Sequence, residues 1–498
     1  MNVRRNIKVM LVAFCTLFVV LSVYLVYTVN AYGTRWFSSP YNTRLNAQKN
    51  NVVAGDILDR NGKQLATTNK HGDRTYIDSR TTRYATAHVV GDNYGQTFGA
   101  ENFFSKYLLG FDQSLFERVG NAFSGEENHG KNVVLSIDAE LCVAAYNAMG
   151  DHQGAVVLMN YQTGELLASV SKPTFDPKYM AEYLNGTREM AGSAMVNRVN
   201  TGQYTPGSVF KVVTAAAALR YLPGITERTF TCNGPLAFDL ESGAYLPQVH
   251  ISPEEDAENR KTSPAGMSGE YRVLRDYNGD YHGELDFETA FSKSCNHVFA
   301  QLAMEVGAER LSRVAKELGL GDDFLFGDIV ASSGKFEKAA TDMDLAWSGV
   351  GQYTDQMTPI HMCMIAAGIA NGGVMVEPKV LLDVVNARGV SNYLYSTETY
   401  RSALSKADAA RLADYMETVV SSGTGRNAKV SGVTVAGKTG TAEVSSGGIR
   451  PNAWFVGFVR ESEHPLAVCV VLEQGGSGGS NAAPVAQTVL KKAIALGY

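Results

Sequence analysis

The first 30 residues constrain the fold more than any other part of the sequence, because they contain a long uncharged run. Three cationic side chains lie within residues 1–8, and residues 9–27 then continue without a charge. As a helix that run is about 28 Å long, close to the ~30 Å of a bilayer's hydrocarbon core. We predict a cytoplasmic tail at 1–8 and a transmembrane anchor at 9–28, with the remaining residues outside the cytoplasmic membrane. The alternative is a cleaved secretory signal, but the run is longer than an ordinary signal core and no clear small-x-small cleavage site follows it.

The composition of the whole chain is that of a globular protein with ample core. Its 498 residues are 45% hydrophobic and 19% charged, with a net charge of −6, and this length suggests more than one domain. No basic cluster is present, so nucleic acid is not expected as a partner. The 9 histidines and 6 cysteines show no spacing typical of a metal site or a disulfide framework, so we expect no metal and no cofactor.

Strand and turn signals divide the rest of the chain into two regions. Residues 29–131 are predicted to form a small β-rich N-terminal domain, with the hairpin turn Asp59-Arg60-Asn61-Gly62 as its clearest element. Residues 132–498 carry strand patterns near both ends and helical patterns between them. This order predicts an α+β domain whose two ends share one sheet. The charged segment 251–271 is predicted to be a loop or an insertion with solvated charges.

The stretch "YTPGSVFKVVTAAAAL" at 204–219 places a lysine in an otherwise apolar run. A helix that is apolar on every face is buried, so Lys211 must be paired or lose its proton. Ser208 lies three residues earlier, on the same helical face. The alternative is that Ser208 caps the helix while Lys211 extends to water. The same spacing occurs at Ser169 and at Ser332, so the spacing alone decides nothing.

Two further short motifs follow in order along the chain. They are Ser294-Cys295-Asn296 and Lys438-Thr439-Gly440. Each alone is weak, because Ser294 could cap its helix and Gly440 could mark a bulge. The ordered set S-x-x-K, S-x-N and K-T-G, however, is characteristic of penicillin-binding proteins and class A β-lactamases.

On these motifs the sequence resembles class B penicillin-binding proteins, which are monofunctional peptidoglycan D,D-transpeptidases. The resemblance covers roughly residues 132–495 and includes the segments "GAVVLMNYQTGELLASVSKPTFDP", "YTPGSVFK", "HGELDFETAFSKSCNHVFAQLA", "TPIHMCMIAAGIANGG", "GKTGTAEV" and "AWFVGF". It implies a serine β-lactamase-like α+β transpeptidase domain, with an antiparallel sheet and helices, after a non-catalytic N-terminal domain. Ala54 and Tyr353 depart from the family, which usually has arginine and glycine there, and Cys295 replaces the aspartate of class A β-lactamases.

The resemblance also implies roles for individual residues. Ser208 would be the nucleophile, Lys211 its general base, and Ser294 with Lys438 the proton relay to the leaving amine. Asn296 would hold the substrate backbone. The substrate carboxylate would bind near Lys438 through the hydroxyls of Thr439 and Thr441, and Gly440 would let the donor peptide lie close to the strand. The backbone N–H groups of Ser208 and Thr441 would form the oxyanion hole.

Three other functions share these motifs. A β-lactamase must hydrolyse its acyl-enzyme, and class A enzymes use a glutamate-activated water, but no E-x-x-L-N lies between Asn296 and Lys438. A D,D-carboxypeptidase uses water as the acceptor. An inactive scaffold or sensor with this fold would not need the complete motif set. The expected partners are nascent peptidoglycan stem peptides, β-lactam antibiotics, the cytoplasmic membrane and a polytopic glycosyltransferase of the shape, elongation, division and sporulation family.

Overall fold

The structure is a computed structural model that describes residues 3–37, 52–112, 129–262, 267–386, 389–391, 393, 395–443 and 449–498. Part of the predicted N-terminal domain and the first two residues of the predicted tail lie outside these ranges.

The α-helices of the described chain are numbered in chain order. They are α1 (Val3–Phe37), α2 (Arg80–Val90), α3 (Ala100–Phe103), α4 (Ser105–Leu108), α5 (Ala139–Ala148), α6 (Met180–Leu184), α7 (Arg198–Thr201), α8 (Lys211–Tyr221), α9 (Pro253–Thr262), α10 (Phe287–Ser292), α11 (Asn296–Val306), α12 (Ala308–Glu317), α13 (Asp342–Gly349), α14 (Pro359–Ala370), α15 (Lys406–Ser421) and α16 (Ala483–Ala495).

The strands are numbered in the same way. They are β1 (Ile57–Leu58), β2 (Gln64–Thr68), β3 (Arg74–Tyr76), β4 (Asn132–Leu135), β5 (Gly154–Asn160), β6 (Leu166–Lys172), β7 (Thr229–Cys232), β8 (Leu236–Phe238), β9 (Met267–Ser268), β10 (Tyr271–Leu274), β11 (Gly283–Asp286), β12 (Val374–Val376), β13 (Leu381–Val385), β14 (Thr399–Ser402), β15 (Val435–Ala442), β16 (Asn452–Val459) and β17 (Leu466–Leu472).

Helix α1 contains the uncharged run of the sequence and extends past both of its ends. Its residues 4–29 are long and apolar enough to cross a membrane, and none of the most apolar 18-residue window among them is buried in the described chain. Large apolar side chains on every face, such as Phe18 and Val23, are exposed. Such a helix is stable only in an apolar surrounding, which fits the predicted anchor at 9–28.

The central sheet joins the two ends of the second region, as predicted. Its order is β15-β16-β17-β5-β6, and every neighbouring pair is antiparallel. All residues of β16 and β17 are buried, which requires cover on both faces. Helix α14 packs on β5, β16 and β17, while α5 packs on β6 and α16 packs on β17.

A second sheet joins the N-terminal region to the chain beyond residue 131. Its order is β13-β4-β1-β2-β3, so three strands come from the N-terminal region and two from residues beyond 131. The hairpin predicted at Asp59–Gly62 is present, with β1 and β2 antiparallel, and β1 also pairs in parallel with β4. Helices α2, α3 and α4 complete this region, so it contains both helices and strands.

The charged segment at 251–271 is more ordered than the sequence suggested. It contains helix α9 and strand β9. Three acidic residues lie in the first turn of α9 and two basic residues, Arg260 and Lys261, lie in its last turn. The helix dipole favours this arrangement of charges. The prediction that its charges are solvated is wrong for Asp256. This carboxylate is fully buried and pairs with Arg275 Nε at 2.6 Å.

Candidate active site

Ser208 lies in a one-turn 3₁₀ helix at Gly207–Phe210, immediately before α8. Gly207 has φ +55°, a conformation that favours glycine, and its N–H donates to the carbonyl of Gly351 at 2.8 Å. Ser208 is half-buried, and its side chain does not cap α8. The capping interpretation of Ser208 is therefore wrong.

The turn that carries Ser208 packs directly on strand β15. A Cβ atom added to Gly207 would lie 2.8 Å from the carbonyl oxygen of Thr441, so only glycine allows this approach. A Cβ atom on Gly440 would lie 3.0 Å from both the Pro206 carbonyl oxygen and Val209 Cγ1. The structure therefore gives Gly440 a role that the sequence did not predict: its lack of a side chain lets the turn that carries the predicted nucleophile Ser208, here called the nucleophile turn, pack on β15.

Lys211 is the first residue of α8 and is fully buried. Its Nζ donates to the carbonyl of Ser294 at 2.5 Å, to Asn296 Oδ1 at 2.6 Å and to Ser294 Oγ at 3.3 Å. The alternative in which Lys211 extends to water is wrong. The sequence predicts that a buried lysine here is paired or loses its proton, and the structure gives it hydrogen-bond partners from the second motif.

Ser294 lies in the break between α10 and α11 and has φ +61°, which is unusual for a non-glycine residue. The strain is held by its neighbours. The N–H of Ser294 donates to the Phe291 carbonyl at 3.1 Å, and Asn296 Nδ2 donates to the Arg275 carbonyl at 2.7 Å. The hydroxyl of Ser294 lies between two amines, because Lys438 Nζ donates to it at 2.8 Å.

The third motif lies on β15, an edge strand of the central sheet. Lys438 is fully buried, and besides Ser294 its Nζ also donates to the Thr439 carbonyl at 3.1 Å. Thr439 Oγ1 is 2.6 Å from Thr424 Oγ1, and the Gly478 N–H lies 3.5 Å from Thr441 Oγ1. The three predicted motifs therefore meet in one place, with Ser294 linking the two lysines.

Burial of two amines in contact with one hydroxyl determines the electrostatics of the site. Burial lowers the pKa of Lys211 to about 8, and the negative charge of Asp276 opposes that shift. The pKa of Lys438 is lowered well below its usual value, by burial first and then by repulsion from Lys211. Each Nζ also lies over a ring, Lys211 at 5.6 Å from the centroid of Phe299 and Lys438 at 5.7 Å from that of Phe291. A neutral amine is therefore accessible near physiological pH.

The two other Ser-x-x-Lys spacings of the sequence lack this setting. Ser169 and Lys172 lie on strand β6, and Lys172 Nζ donates to the Gly150 carbonyl. Ser332 and Lys335 lie outside any helix or named strand. Neither pair meets the second and third motifs.

A polar network that the sequence analysis did not identify supports the nucleophile turn from the side of β17. Glu473 Oε1 accepts from Arg198 Nε and from the Tyr204 hydroxyl, both at 2.7 Å. Trp454 Nε1 donates to the Thr205 carbonyl at 3.1 Å. These residues fall outside the short motifs, and nothing in their spacing signals the contact.

Tyr353 lies near the nucleophile turn, two residues after Gly351. It has φ +65° and is 45% exposed. The left-handed backbone explains why glycine suits this position, and a tyrosine here projects a large ring from the surface.

A cluster of four potential metal ligands lies behind the second motif. It consists of Cys232, Asp276, His282 and Cys295, whose ligand atoms all lie within 4.8 Å of one another. The sequence predicts no metal site here, because these residues are spread over more than 60 positions and match no short spacing. Strand pairing brings them together, since Cys232 lies opposite Gly283 in the β7–β11 ladder.

Comparison with known proteins agrees with this arrangement. The family profile described as "Penicillin binding protein transpeptidase domain" matches residues 154–232 and 254–491, which include all three motifs. The chain belongs to the penicillin-binding protein transpeptidase family. The α+β fold and the class B resemblance inferred from the sequence are thereby confirmed.

Two relatives of this penicillin-binding protein carry the name peptidoglycan D,D-transpeptidase PbpA. The protein from Mycobacterium tuberculosis is 30% identical over 413 residues, which cover 78% of this chain and 77% of the relative. The protein from Mycolicibacterium smegmatis is 29% identical over 420 residues, which cover 80% and 79%.

Solved structures give the same result. Penicillin-binding protein A from M. tuberculosis, as its ceftriaxone acyl-enzyme complex, matches with a TM-score of 0.76 and 26% identity, covering 90% of this chain and 100% of that one. The D,D-transpeptidase domain of a peptidoglycan glycosyltransferase from Eggerthella lenta matches with a TM-score of 0.73 and 26% identity, covering 90% and 99%.

Proposed function

We propose that the protein is a serine-type peptidoglycan D,D-transpeptidase that cross-links stem peptides through an ester on Ser208. The observation that carries this proposal is the chain of contacts from Lys211 through the Ser294 hydroxyl to Lys438, directly beside the nucleophile turn. Two buried amines joined by a hydroxyl form a path for protons, and this path begins three residues from Ser208, which is half-buried.

In the first half of the reaction, the Ser208 hydroxyl attacks the carbonyl of the D-Ala-D-Ala peptide bond. Lys211, as the neutral amine, takes the hydroxyl proton. The tetrahedral intermediate collapses with cleavage of the C–N bond, and the terminal D-Ala amine leaves. The proton that this amine needs is supplied from Lys211 through Ser294 and Lys438.

In the second half, the amine of a second stem peptide attacks the ester carbonyl. The same groups act in reverse: the relay removes the proton from the attacking amine, and Ser208 Oγ regains a proton when its ester bond breaks. The products are a cross-linked peptide and free enzyme, so no cofactor is needed for the balance of this reaction.

The substrate would lie along the open edge of β15. The Thr439 and Thr441 hydroxyls and the positive charge near Lys438 provide donors for the terminal carboxylate, and Asn296 provides an amide for the peptide backbone. Gly207 packs closely on the Thr441 carbonyl, so the Ser208 turn and strand β15 are in contact at this point. The backbone N–H groups of Ser208 and Thr441 are proposed as the oxyanion hole, which stabilises charge as it develops.

Covalent labelling by penicillin tests this assignment. A β-lactam acylates the nucleophile and its leaving group stays tethered, so the full-length protein in detergent should give a stable adduct that peptide mapping places at Ser208. Ser208→Ala should abolish the adduct without changing Tm, since this side chain caps no helix. Ser332→Ala is the matched control and should label normally. Labelling at Ser169 or Ser332 would contradict the proposal.

Two measurements separate the closest alternatives: the fate of the penicillin adduct, and the reaction of a stem peptide with and without an acceptor amine. A β-lactamase would release hydrolysed penicillin with turnover, whereas a transpeptidase keeps the adduct. A D,D-carboxypeptidase would release D-Ala from a stem peptide at the same rate with or without an acceptor amine. A transpeptidase should form the cross-linked dimer when the acceptor is present.

We also propose that the protein is a single-pass membrane protein with its catalytic region outside the cytoplasmic membrane. Support comes from α1, whose residues 4–29 are long and apolar enough to cross a membrane, and from the cationic residues Arg4, Arg5 and Lys8 ahead of the run. A polytopic glycosyltransferase remains the proposed partner of this helix and the N-terminal region. Co-purification that is lost when α1 is replaced by an unrelated membrane span would support this pairing.

A further inference from the structure

The cluster of Cys232, Asp276, His282 and Cys295 has the geometry of a metal site. The Cys232 and Cys295 sulfurs lie 3.2 Å and 3.3 Å from Asp276 Oδ2. His282 Nδ1 lies 3.2 Å from the same oxygen and 3.7 Å from Cys232 Sγ. Zinc bonds of about 2.0–2.3 Å place neighbouring atoms of a tetrahedral site about 3.3–3.8 Å apart. The four distances above are close to that separation, and all four ligand atoms lie within 4.8 Å of one another.

The donor set selects among metals. Two cysteine sulfurs, one imidazole and one carboxylate oxygen suit a borderline-soft ion with tetrahedral preference, and disfavour magnesium and calcium, which prefer oxygen ligands. Cys232 and Cys295 are 1% and 0% exposed. Four protein ligands in a buried setting are typical of a structural zinc site, because a catalytic site keeps one position open.

Hydrogen bonds alone explain the contacts of this cluster less well than a shared metal ion does. Asp276 Oδ2 is approached by two thiols and an imidazole at once, and thiols are weak donors. Asp276 is also 8% exposed, so water compensates little of its charge. A shared cation would compensate the carboxylate and two thiolates together.

A disulfide between Cys232 and Cys295 is the other reading of this cluster. It would remove both thiols as donors to Asp276 and leave the carboxylate with His282 Nδ1 and the Asn296 backbone N–H as its hydrogen-bond partners. The placement of Asp276 and His282 against the sulfurs therefore favours a shared metal over a disulfide.

We infer that these four residues bind one Zn²⁺ ion that positions the second catalytic motif. Cys295 lies between Ser294 and Asn296 in the sequence, and Asp276 Oδ1 accepts from the Asn296 backbone N–H. The metal would fix both residues and thereby hold the left-handed backbone of Ser294 between the two lysines. It is proposed as a structural ion: it touches no reacting atom, and each ligating thiol releases its proton when zinc binds.

Metal analysis of the full-length protein in detergent tests the inference without reference to activity. We expect about one zinc per chain by elemental analysis, and loading of the chelated protein with Co²⁺ should give a thiolate-to-cobalt charge-transfer band with tetrahedral d–d bands. Cys232→Ser and His282→Ala should each weaken zinc binding at least tenfold, since even changes beyond the ligands cost about 10–100-fold. Cys142→Ser, at another buried cysteine, should bind zinc normally.

The outcomes are distinct from those that test the proposed function. Zinc should raise Tm of the chelated wild type but not that of His282→Ala, and Ser208→Ala should keep full zinc. Wild type that binds neither zinc nor cobalt after reduction and reconstitution would overturn the inference. So would a Cys232–Cys295 disulfide in peptide maps of freshly purified protein. If Cys232→Ser fails to fold, the Co²⁺ spectrum of His282→Ala tests the inference instead, because loss of the tetrahedral d–d bands in that variant would show that His282 is a ligand.

Discussion

The reactivity of Ser208 should follow the protonation of Lys211. Burial lowers the pKa of Lys211 to about 8. The neutral amine is the form that accepts the proton of Ser208, and its fraction increases as the pH rises. The neutral fraction is roughly one tenth at pH 7, one half at pH 8 and nine tenths at pH 9. The second-order rate constant for acylation by penicillin should therefore rise about ninefold between pH 7 and pH 9 and then level off.

The surroundings of Lys211 define the limits of this expectation. The groups that face it are the Lys438 amine from β15, the Asp276 carboxylate and the Cys295 thiol. The Lys438 pKa is lowered well below its usual value, and Asp276, with a pKa of about 2, keeps its charge throughout the measured range. Because the lowered pKa of Lys438 does not by itself separate the two amines, the Lys211→Arg variant decides whether the rise between pH 7 and pH 9 belongs to Lys211.

Stopped-flow acylation with a chromogenic β-lactam, at constant ionic strength from pH 6 to pH 10, measures the profile. Lys211→Arg keeps the charge but cannot release a proton in this range, so its rate should fall by about 10²–10⁴-fold and lose the rise. Lys335→Arg, at a lysine outside the site, is the control and should keep the wild-type profile. A flat wild-type profile, or an Arg variant with the normal rate, would refute the assignment of Lys211 as the base.

Three further predictions follow from other contacts. Gly207→Ala places a Cβ against β15 at a positive φ and should slow acylation by about a hundredfold. The control is Gly224→Ala, at φ +74° with open space around it, which should leave the acylation rate unchanged. Equal effects of the two substitutions would contradict the packing argument. Asp256→Asn removes the buried partner of Arg275 and should cost about 3–5 kcal/mol of stability, seen as a lower Tm; an unchanged Tm would show that this pair contributes nothing. A reporter that is active only outside the cytoplasm should work when fused after Tyr498, and activity of a cytoplasm-only reporter there would reverse the topology.

Much of the architecture could be predicted because the signals were local. The hairpin at Asp59–Gly62 and the strands of the central sheet have alternating or continuous apolar patterns with clear turns. The order of the motifs identified Ser208 and its partners, because short catalytic motifs keep their spacing. The burial of Lys211 followed from one charge in an apolar helix, and the structure confirms it.

The features that could not be predicted depend on contacts between residues far apart in the sequence, which no short stretch of the chain contains. The metal-ligand cluster joins Cys232 to Cys295 across 63 positions, through the β7–β11 pairing. The buried charge of Asp256 depends on Arg275, which lies beyond the helix that carries the aspartate. The tight contact of Gly440 with Pro206 and Val209 is a further example, because only the packing of one segment on another sets that distance; its predicted role toward the donor peptide stays a prediction.

The shared sheet determines where the chain can be cut. Strand β4 pairs with β1 on one side and β13 on the other, so a fragment starting at residue 132 would leave one edge of β4 without its partner. An unpaired edge strand is a template for association with other chains. A fragment intended for crystallisation or inhibitor screening should therefore begin ahead of Val53, whose carbonyl accepts from the Gly130 N–H, rather than at the apparent start of the enzyme domain.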